Sequence, residues 1–197
     1  MPEATPRRGH VFIISGPSGA GKDSVIERLH QLVTLDQVVT MTTRAPRVNE
    51  VPGVSYRFAS VADFLAMRDA GDLLEFAEVY GNWYGVPADT MRASVAAGRD
   101  VLIKVDLQGA RTIKRLLPDA TFIFIRPASA EELAGRLRSR ASETEAEVAL
   151  RLQTAQSELA EQVWFDHVVE NADGGLEAAV ARVRAIITMT NQAQATS

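Results

Sequence analysis

The chain has 197 residues, of which 46% are hydrophobic and 23% are charged, and its formal net charge at pH 7 is −4. It contains no cysteine, which excludes a disulfide scaffold, a thiolate zinc site, an iron–sulfur cluster and a cysteine nucleophile. The negative charge argues against a dedicated nucleic-acid-binding protein, and no apolar run reaches the ~20 residues of a membrane span. We therefore expect a cytoplasmic protein with a flexible tail over residues 1–8 that binds neither nucleic acid nor membrane.

Short apolar runs alternate with segments of helical periodicity along most of the chain. This alternation predicts an α/β fold, with a parallel sheet flanked by helices. The predicted strands of this sheet are residues 11–15, 101–105, 121–125 and 167–169, and the predicted helices are residues 25–33 and 176–189.

Two segments interrupt this alternation. Residues 40–84 are rich in aromatic and turn residues and predict a small mixed insertion, with strands near 55–58 and 73–79. A short helix between these strands is expected to begin at a Ser60 cap and to end near Gly71. Residues 136–151 predict an arginine-rich helical hairpin that is typical of a mobile lid.

A glycine-rich pattern follows the first predicted strand. Its glycines allow several backbone N–H groups to face one anion, and Lys22 reaches the β- and γ-phosphates of a nucleotide. The position after this lysine normally holds a Ser or Thr that binds Mg²⁺, but here it holds Asp23. A carboxylate is a good Mg²⁺ ligand, so we expect Asp23 to bind the metal, directly or through water, and nucleotide binding to depend strongly on Mg²⁺. The residues of this pattern that are predicted to bind the phosphates of a nucleotide are Gly16, Pro17, Ser18, Gly19, Ala20, Gly21, Lys22, Asp23 and Ser24.

Other charged residues also indicate phosphate chemistry. Arg44 and Arg47 flank Pro46 in a segment predicted to be extended or turned, and paired guanidinium groups suit a phosphate or a carboxylate. Asp106 follows an apolar strand, where phosphate-loop proteins place an acid near the metal and phosphates. Arginines of the predicted lid are expected to neutralise charge on a transferring phosphate; they are Arg136, Arg140 and Arg151.

Taken together, these segments resemble the guanylate kinase family over residues 9–187. The motifs that carry the resemblance are Ser15-Gly16-Pro17-Ser18-Gly19, Thr42-Thr43-Arg44 with Pro46-Arg47, Tyr56-Arg57-Phe58, Glu75-Phe76-Ala77, Gly81-Asn82-Trp83-Tyr84-Gly85 and Val105-Asp106-Leu107-Gln108-Gly109. The resemblance implies transfer of the γ-phosphate of ATP, with Mg²⁺, to GMP. It also implies a core domain over residues 9–38, 87–130 and 161–197, a GMP-binding insertion over 39–86 and a lid over 131–160.

The resemblance also implies roles for individual residues. The phosphate of GMP would be bound by Arg44, Arg47, Tyr56 and Tyr84. Glu75 would recognise guanine with help from Thr40. Asp106 would bind GMP and would lie on the metal and nucleotide side, where it would hold Mg²⁺, directly or through water. Asn171 would lie near adenine. The catalytic residues would be Lys22, Arg44, Arg136, Arg140 and Arg151.

Four positions depart from the family pattern, and two alternative functions remain open. The departures are Asp23 for Ser or Thr, Lys104 for an acid, Ala141 for a lid glycine and Val86 for a hydroxyl residue. A related ribose-bisphosphate kinase would explain Asp23. It would not explain the residues assigned to guanine and to its phosphate, which are Glu75, Thr40, Arg44, Arg47, Tyr56 and Tyr84. A non-catalytic guanylate-kinase-like binding module would not need the intact phosphate loop. The oligomeric state is not determined by the sequence.

Overall fold

The computed structural model describes residues 8–48, 50–79, 81–138 and 145–196, and it gives no side-chain environment for residues 145–148 and 195. Most of the predicted tail, Arg140 and Ala141 lie outside the described residues. The strands, in chain order, are β1 (Val11–Ser15), β2 (Asp36–Val38), β3 (Met41–Thr42), β4 (Arg57–Phe58), β5 (Leu73–Val79), β6 (Asn82–Pro87), β7 (Val101–Lys104), β8 (Thr121–Arg126) and β9 (His167–Glu170). The helices are α1 (Lys22–His30), α2 (Val61–Asp69), α3 (Ala88–Ala96), α4 (Leu107–Leu116), α5 (Ala130–Arg138), α6 (Glu145–Ala160) and α7 (Leu176–Ala195).

The strands of the described residues belong to two sheets, with the orders β2-β7-β1-β8-β9 and β4-β3-β6-β5. The α/β prediction is thereby confirmed. The chain divides into two compact units. The first unit comprises Met1–Ile13 and Leu35–Ala120, and the second comprises Ile14–Thr34 and Thr121–Ser197.

In the first unit, β2 pairs in parallel with β7, with Asp36 opposite Val101. The smaller sheet is mixed, because β3 runs parallel to β4 and antiparallel to β6, while β5 and β6 form an antiparallel pair. A shift in register between Leu73 and Glu75 marks a bulge in β5. Phe64 of α2 is fully buried and stacks on Trp83 of β6 at 5.9 Å between ring centroids.

Side-chain caps begin two helices of the first unit. The Ser60 hydroxyl accepts a hydrogen bond from the Asp63 backbone N–H at 3.1 Å, which confirms the predicted cap of α2. The Asp106 carboxylate accepts from the Gly109 N–H at 2.7 Å and so caps α4. Each cap satisfies one of the backbone donors that the first turn of a helix leaves without a partner.

In the second unit, β8 pairs in parallel with β9, with Ile123 opposite His167. The side chains of residues 122–125 in β8 are fully buried. Phe124 meets Phe165 edge to face at 5.0 Å. Helices α1 and α7 pack together, and Arg28 of α1 forms a 2.7 Å salt bridge with Glu177 of α7.

Several predicted boundaries are wrong by a few residues. The first helix ends at His30 and leaves Val33 outside, whereas α7 continues to Ala195. The strand expected at 55–58 is reduced to Arg57–Phe58, because the preceding residues form turns in which Ser55 N–H donates to the Val51 carbonyl at 2.9 Å. Within the described ranges, no helix combines the length and apolar composition that would allow it to cross a membrane.

Gly16 follows β1 and has a φ of 138°, and a Cβ at this position would overlap the carbonyl oxygen of Ile125. We therefore expect Gly16→Ala to lower the free energy of unfolding by more than about 3 kcal/mol, since backbone strain and a rigid steric clash add. Gly174→Ala is the matched control, because Gly174 has a φ of 72° but no atom within 4 Å of the added Cβ. Its cost should stay near ~1 kcal/mol. Equal losses in denaturant titrations would contradict the clash with Ile125.

Candidate functional site

The glycine-rich segment of the second unit forms a loop between β1 and the first turn of α1. Gly16, Gly19 and Gly21 all have positive φ values, of 138°, 88° and 83°, which side chains of L-residues rarely adopt. The ammonium of Lys22 donates to the carbonyl oxygens of Gly16 and Pro17 at 2.5 and 2.9 Å. The lysine therefore folds back over the loop that it follows.

Neighbouring segments of the second unit pack closely against this loop. A Cβ on Gly19 would lie 2.8 Å from Leu133 of α5, so this glycine also allows a close approach. Asn171 follows β9, is 5% exposed and donates to the Ala20 carbonyl at 2.9 Å. The structure thus places Asn171 against the loop, and its position near adenine, which the resemblance implies, stays a prediction.

Two of the predicted lid arginines contact this loop, Arg136 through a 3.5 Å hydrogen bond from Nη1 to the Ala20 carbonyl and Arg151 through Ser18. Arg136 Nη2 donates to the Asn171 carbonyl at 2.8 Å, and its Nε and Nη2 contact Asp173 Oδ1 at 2.8 and 2.6 Å. Arg151 Nη1 donates to the hydroxyl of Ser18 at 3.1 Å. Asp173 was not predicted. It lies two residues after Asn171 in a turn, and nothing in the local sequence pattern connects it with α5.

The acid that replaces the usual hydroxyl residue lies at the start of α1. Asp23 and Ser24 are exposed in the first turn, where the helix dipole favours negative groups. In the described part of the chain, no three His, Cys, Asp or Glu side chains form a preassembled metal cluster. Mg²⁺ is commonly held by one or two carboxylates together with substrate phosphates and water, and the exposed Asp23 carboxylate fits that mode.

In the first unit, Arg44 is held by a network of hydrogen bonds. Its Nη2 contacts both carboxylate oxygens of Glu50, at 2.7 and 2.9 Å, and its Nε donates to the Tyr84 hydroxyl at 3.3 Å. The backbone N–H of Arg47 also donates to Glu50, at 2.8 Å. One carboxylate therefore joins the two arginines that the sequence assigns to a phosphate.

The sequence prediction did not include Glu50. An acid three residues after an arginine in an irregular turn is a weak signal, and the Arg-x-x-Glu spacing of Arg47 and Glu50 is the one local sign of this ion pair. Burial of Glu50 raises its pKa, but the hydrogen bonds from Arg44 and from the Arg47 backbone outweigh burial and hold the pKa below its usual value. Glu50 is thus ionised at neutral pH and balances the charge of the arginines.

Tyr56 lies at the centre of a cationic and aromatic cluster. Its ring meets the Tyr84 ring edge to face at 6.0 Å. The Arg44 guanidinium carbon is 5.5 Å from the centroid of the Tyr56 ring, and the Lys104 ammonium is 4.4 Å from it. The structure therefore brings together the four residues predicted to bind a phosphate and adds Lys104 to them.

The side chain of Thr40 is hydrogen-bonded to the backbone of Lys104. The Thr40 hydroxyl is buried and donates to the Lys104 carbonyl oxygen at 3.0 Å. Its oxygen still has acceptor capacity, since a hydroxyl can donate one hydrogen bond and accept two. Val86, which stands where the resemblance implies a hydroxyl residue, is fully buried.

Glu75 of β5 is a buried carboxylate with an unusual environment. It is 4% exposed, and within the part of the chain that the structure describes its Oε2 has no hydrogen-bond partner. A Cβ on Gly109 of α4 would lie 2.8 Å from Glu75 Oε1, so only glycine leaves room for this carboxylate. Burial, and secondarily the negative charge of Asp106, raise the pKa of Glu75 to about 8.

Comparison with known proteins identifies relatives over most of the chain. The sequence model of the family described as "Guanylate kinase" matches residues 8–190. The guanylate kinase of Nocardia farcinica is 45% identical over 171 residues, covering 84% of this chain and 87% of the relative. The guanylate kinase of Thermosynechococcus vestitus is 44% identical over 174 residues, covering 88% of this chain and 91% of the relative.

A solved structure gives the same result. The crystal structure of guanylate kinase from Anaplasma phagocytophilum superposes with a TM-score of 0.73 at 31% identity, covering 92% of this chain and 86% of that one. The family match spans nearly the whole chain, and the relatives are covered over most of their length. The chain belongs to the guanylate kinase family.

Proposed function

We propose that the protein transfers the γ-phosphate of ATP to GMP and releases ADP and GDP. The observation that carries this proposal is the buried carboxylate of Glu75, which lacks a partner for Oε2 among the described residues and lies in the same unit as the Arg44–Glu50–Arg47 network. A buried acceptor without a donor costs free energy unless a ligand supplies that donor. Guanine supplies two donors, its N1–H and its 2-amino group.

The proposed acceptor site distinguishes guanine from other bases by hydrogen-bond chemistry. A carboxylate accepts from both guanine donors at once, whereas adenine presents an acceptor at N1 and no 2-amino group. Glu75 reads the base, and the Thr40 hydroxyl contributes beside it. The GMP phosphate is bound by Arg44, Arg47, Tyr56 and Tyr84, the residues that the sequence assigns to it. We assign Asp106, which caps α4, to the metal and nucleotide side of the site.

On the donor side, the glycine loop and the basic residues that contact it bind the ATP phosphates. Lys22 is assigned to the β- and γ-phosphates, and Arg136 and Arg151 neutralise the charge that develops during transfer. Asn171 lies on the adenine side. Mg²⁺, held by Asp23 and the phosphates, would supply further charge neutralisation. Arg140 keeps its predicted catalytic role, although it lies outside the described residues.

The proposed chemistry requires no covalent intermediate with the protein. Phosphoryl transfer depends mainly on aligning the acceptor oxygen with the γ-phosphorus and on neutralising charge. In this proposal Arg44 and Arg47 orient the accepting phosphate of GMP, while Lys22 and the lid arginines orient the donor. The lid over residues 131–160 excludes water, which limits ATP hydrolysis.

The two alternative functions are less favoured. A sugar-bisphosphate kinase has no base to recognise and gives no reason to bury Glu75. A non-catalytic binding module would not need Lys22 and Arg151 at the glycine loop. The domain boundaries, the cytoplasmic location and the absence of nucleic-acid and membrane partners remain predictions.

The first test measures ADP formation with GMP, dGMP, AMP, UMP and ribose 1,5-bisphosphate as acceptors. We expect turnover with GMP and little with AMP, UMP or the sugar bisphosphate.

Glu75→Gln should raise KM for GMP by about 100-fold, because a charge-assisted pair of hydrogen bonds is lost, and leave ATP affinity unchanged. Glu78→Gln, an exposed position on the same strand, is the control. Equal losses of GMP and ATP binding would refute the assignment of Glu75.

The pKa of Glu75 predicts that GMP binding depends on pH. With a pKa of about 8, most of the ligand-free protein carries a protonated Glu75 at pH 7, whereas guanine requires the carboxylate. GMP affinity should therefore rise about fivefold from pH 7 to pH 8 and then level off. Calorimetry in buffers of different ionisation enthalpy should show proton release at pH 7. Glu75→Gln should remove both effects, and a pH-independent affinity of the unaltered protein would contradict the prediction.

The same raised pKa affects the stability of the ligand-free protein. The folded protein retains a proton that the unfolded chain releases above the ordinary pKa of 4.5. The free energy of unfolding should consequently fall as pH rises from about 4.5 to about 8. In Glu75→Gln the free energy of unfolding should depend less on pH over this range.

Asp23 should make ATP binding unusually dependent on Mg²⁺. Without the metal, its carboxylate repels the phosphates, and with the metal it becomes a ligand. The ratio of ATP affinities with and without Mg²⁺ should therefore be about tenfold smaller in Asp23→Ser than in the unaltered protein. Titrations with ATP in Mg²⁺ and in EDTA test this, and Asp89→Ser, an exposed acid in the first turn of α3, is the control. An unchanged ratio would exclude the metal-side role.

A further inference from the structure

Lys104 is a buried cation in the unit that carries the proposed acceptor site. It ends β7, and only 8% of its surface is exposed. Lysine is rarely buried to this extent, because the ammonium loses its hydration shell. The sequence identifies this lysine only as a departure from the family pattern and gives it no role.

The ammonium of Lys104 lies at the phosphate end of the acceptor site. It is 4.4 Å from the centroid of the Tyr56 ring, and the Arg44 guanidinium is 5.5 Å from the same centroid. Tyr56 in turn packs edge to face against Tyr84. Lys104 therefore contacts Tyr56, which is assigned to the GMP phosphate. Arg44, which has the same assignment, contacts the same ring.

A different function for Lys104 would be to neutralise the base-reading carboxylate. The contact that the structure gives for the Lys104 ammonium is instead with the ring of Tyr56, a residue assigned to the GMP phosphate. This geometry assigns the ammonium to the phosphate end of the site.

We propose that Lys104 is an additional phosphate-binding residue of the acceptor site, which adds a cation beside Arg44 and Arg47 and favours acceptors that carry a phosphate dianion. The inference rests on the proposed function. Glu50 balances the charge of the arginine pair in the ligand-free protein, and its carboxylate contacts Arg44 and Arg47. The Lys104 ammonium, which lies against the Tyr56 ring, then provides a further positive charge that attracts an incoming phosphate dianion. Guanosine, which has no phosphate, gains nothing from this residue.

The experiment compares GMP with guanosine in variants of Lys104. Lys104→Met keeps the apolar stem and removes the charge, and Lys104→Arg keeps the charge. In Lys104→Met we expect KM for GMP to rise about tenfold, the loss typical of a charge-assisted contact, with kcat changed less than about twofold. The inhibition constant of guanosine and the KM for ATP should stay the same. Lys104→Arg should restore most of the GMP affinity, and Lys114→Met on α4 is the control for loss of one lysine charge.

The possible outcomes separate the inference from the proposed function. No turnover of GMP by the unaltered protein would overturn the proposed function itself. Turnover with an unchanged KM in Lys104→Met would overturn only the role of Lys104. Equal weakening of guanosine and GMP would show that the lysine acts on the base end, which also overturns it. If Lys104→Met does not fold, Lys104→Gln is compared in the same way.

Discussion

The first unit is organised around a carboxylate that is removed from water without a full set of hydrogen bonds. Glu75 projects from β5 toward the first turn of α4, where the missing side chain of Gly109 leaves space for it. The Asp106 cap fixes that turn and also places a negative charge near Glu75. Any shift of α4 would either expose this carboxylate or collide with it. The strand and helix positions around it are therefore tightly constrained.

The cations of the proposed acceptor site are held by one acidic and one aromatic side chain of the same unit. Arg44 and Arg47 would repel each other, but the Glu50 carboxylate contacts both and allows them to remain close. Tyr56 provides the negative face of an aromatic ring for Arg44 and Lys104. This arrangement holds the cations in place before a ligand arrives, so less ordering is needed on binding.

The sequence predicts those features of the fold and site that depend on local pattern. The strands 11–15 and 73–79 match β1 and β5, because their apolar or alternating residues lie between clear turn signals. Strand β6 was missed, because Gly85 and Pro87 are poor strand formers and its pairing with β5 supplies the stability. Glu50 and Asp173 were also missed. Both residues lie in irregular turns, and their partners are determined by side-chain contacts in the folded protein. A helical or strand periodicity in the sequence does not indicate such contacts.

The contact between Lys22 and its own loop has a consequence for the ligand-free state. The ammonium donates to the carbonyls of the adjacent residues Gly16 and Pro17 and so ties the start of α1 to the beginning of the loop. A loop of three positive-φ glycines would otherwise have many conformations available, because glycine restricts the backbone least. The lysine therefore stabilises the loop in the ligand-free protein, and the proposed function requires it to exchange these carbonyl contacts for nucleotide phosphates. Part of the entropic cost of shaping the loop is met during folding and does not recur with each catalytic cycle.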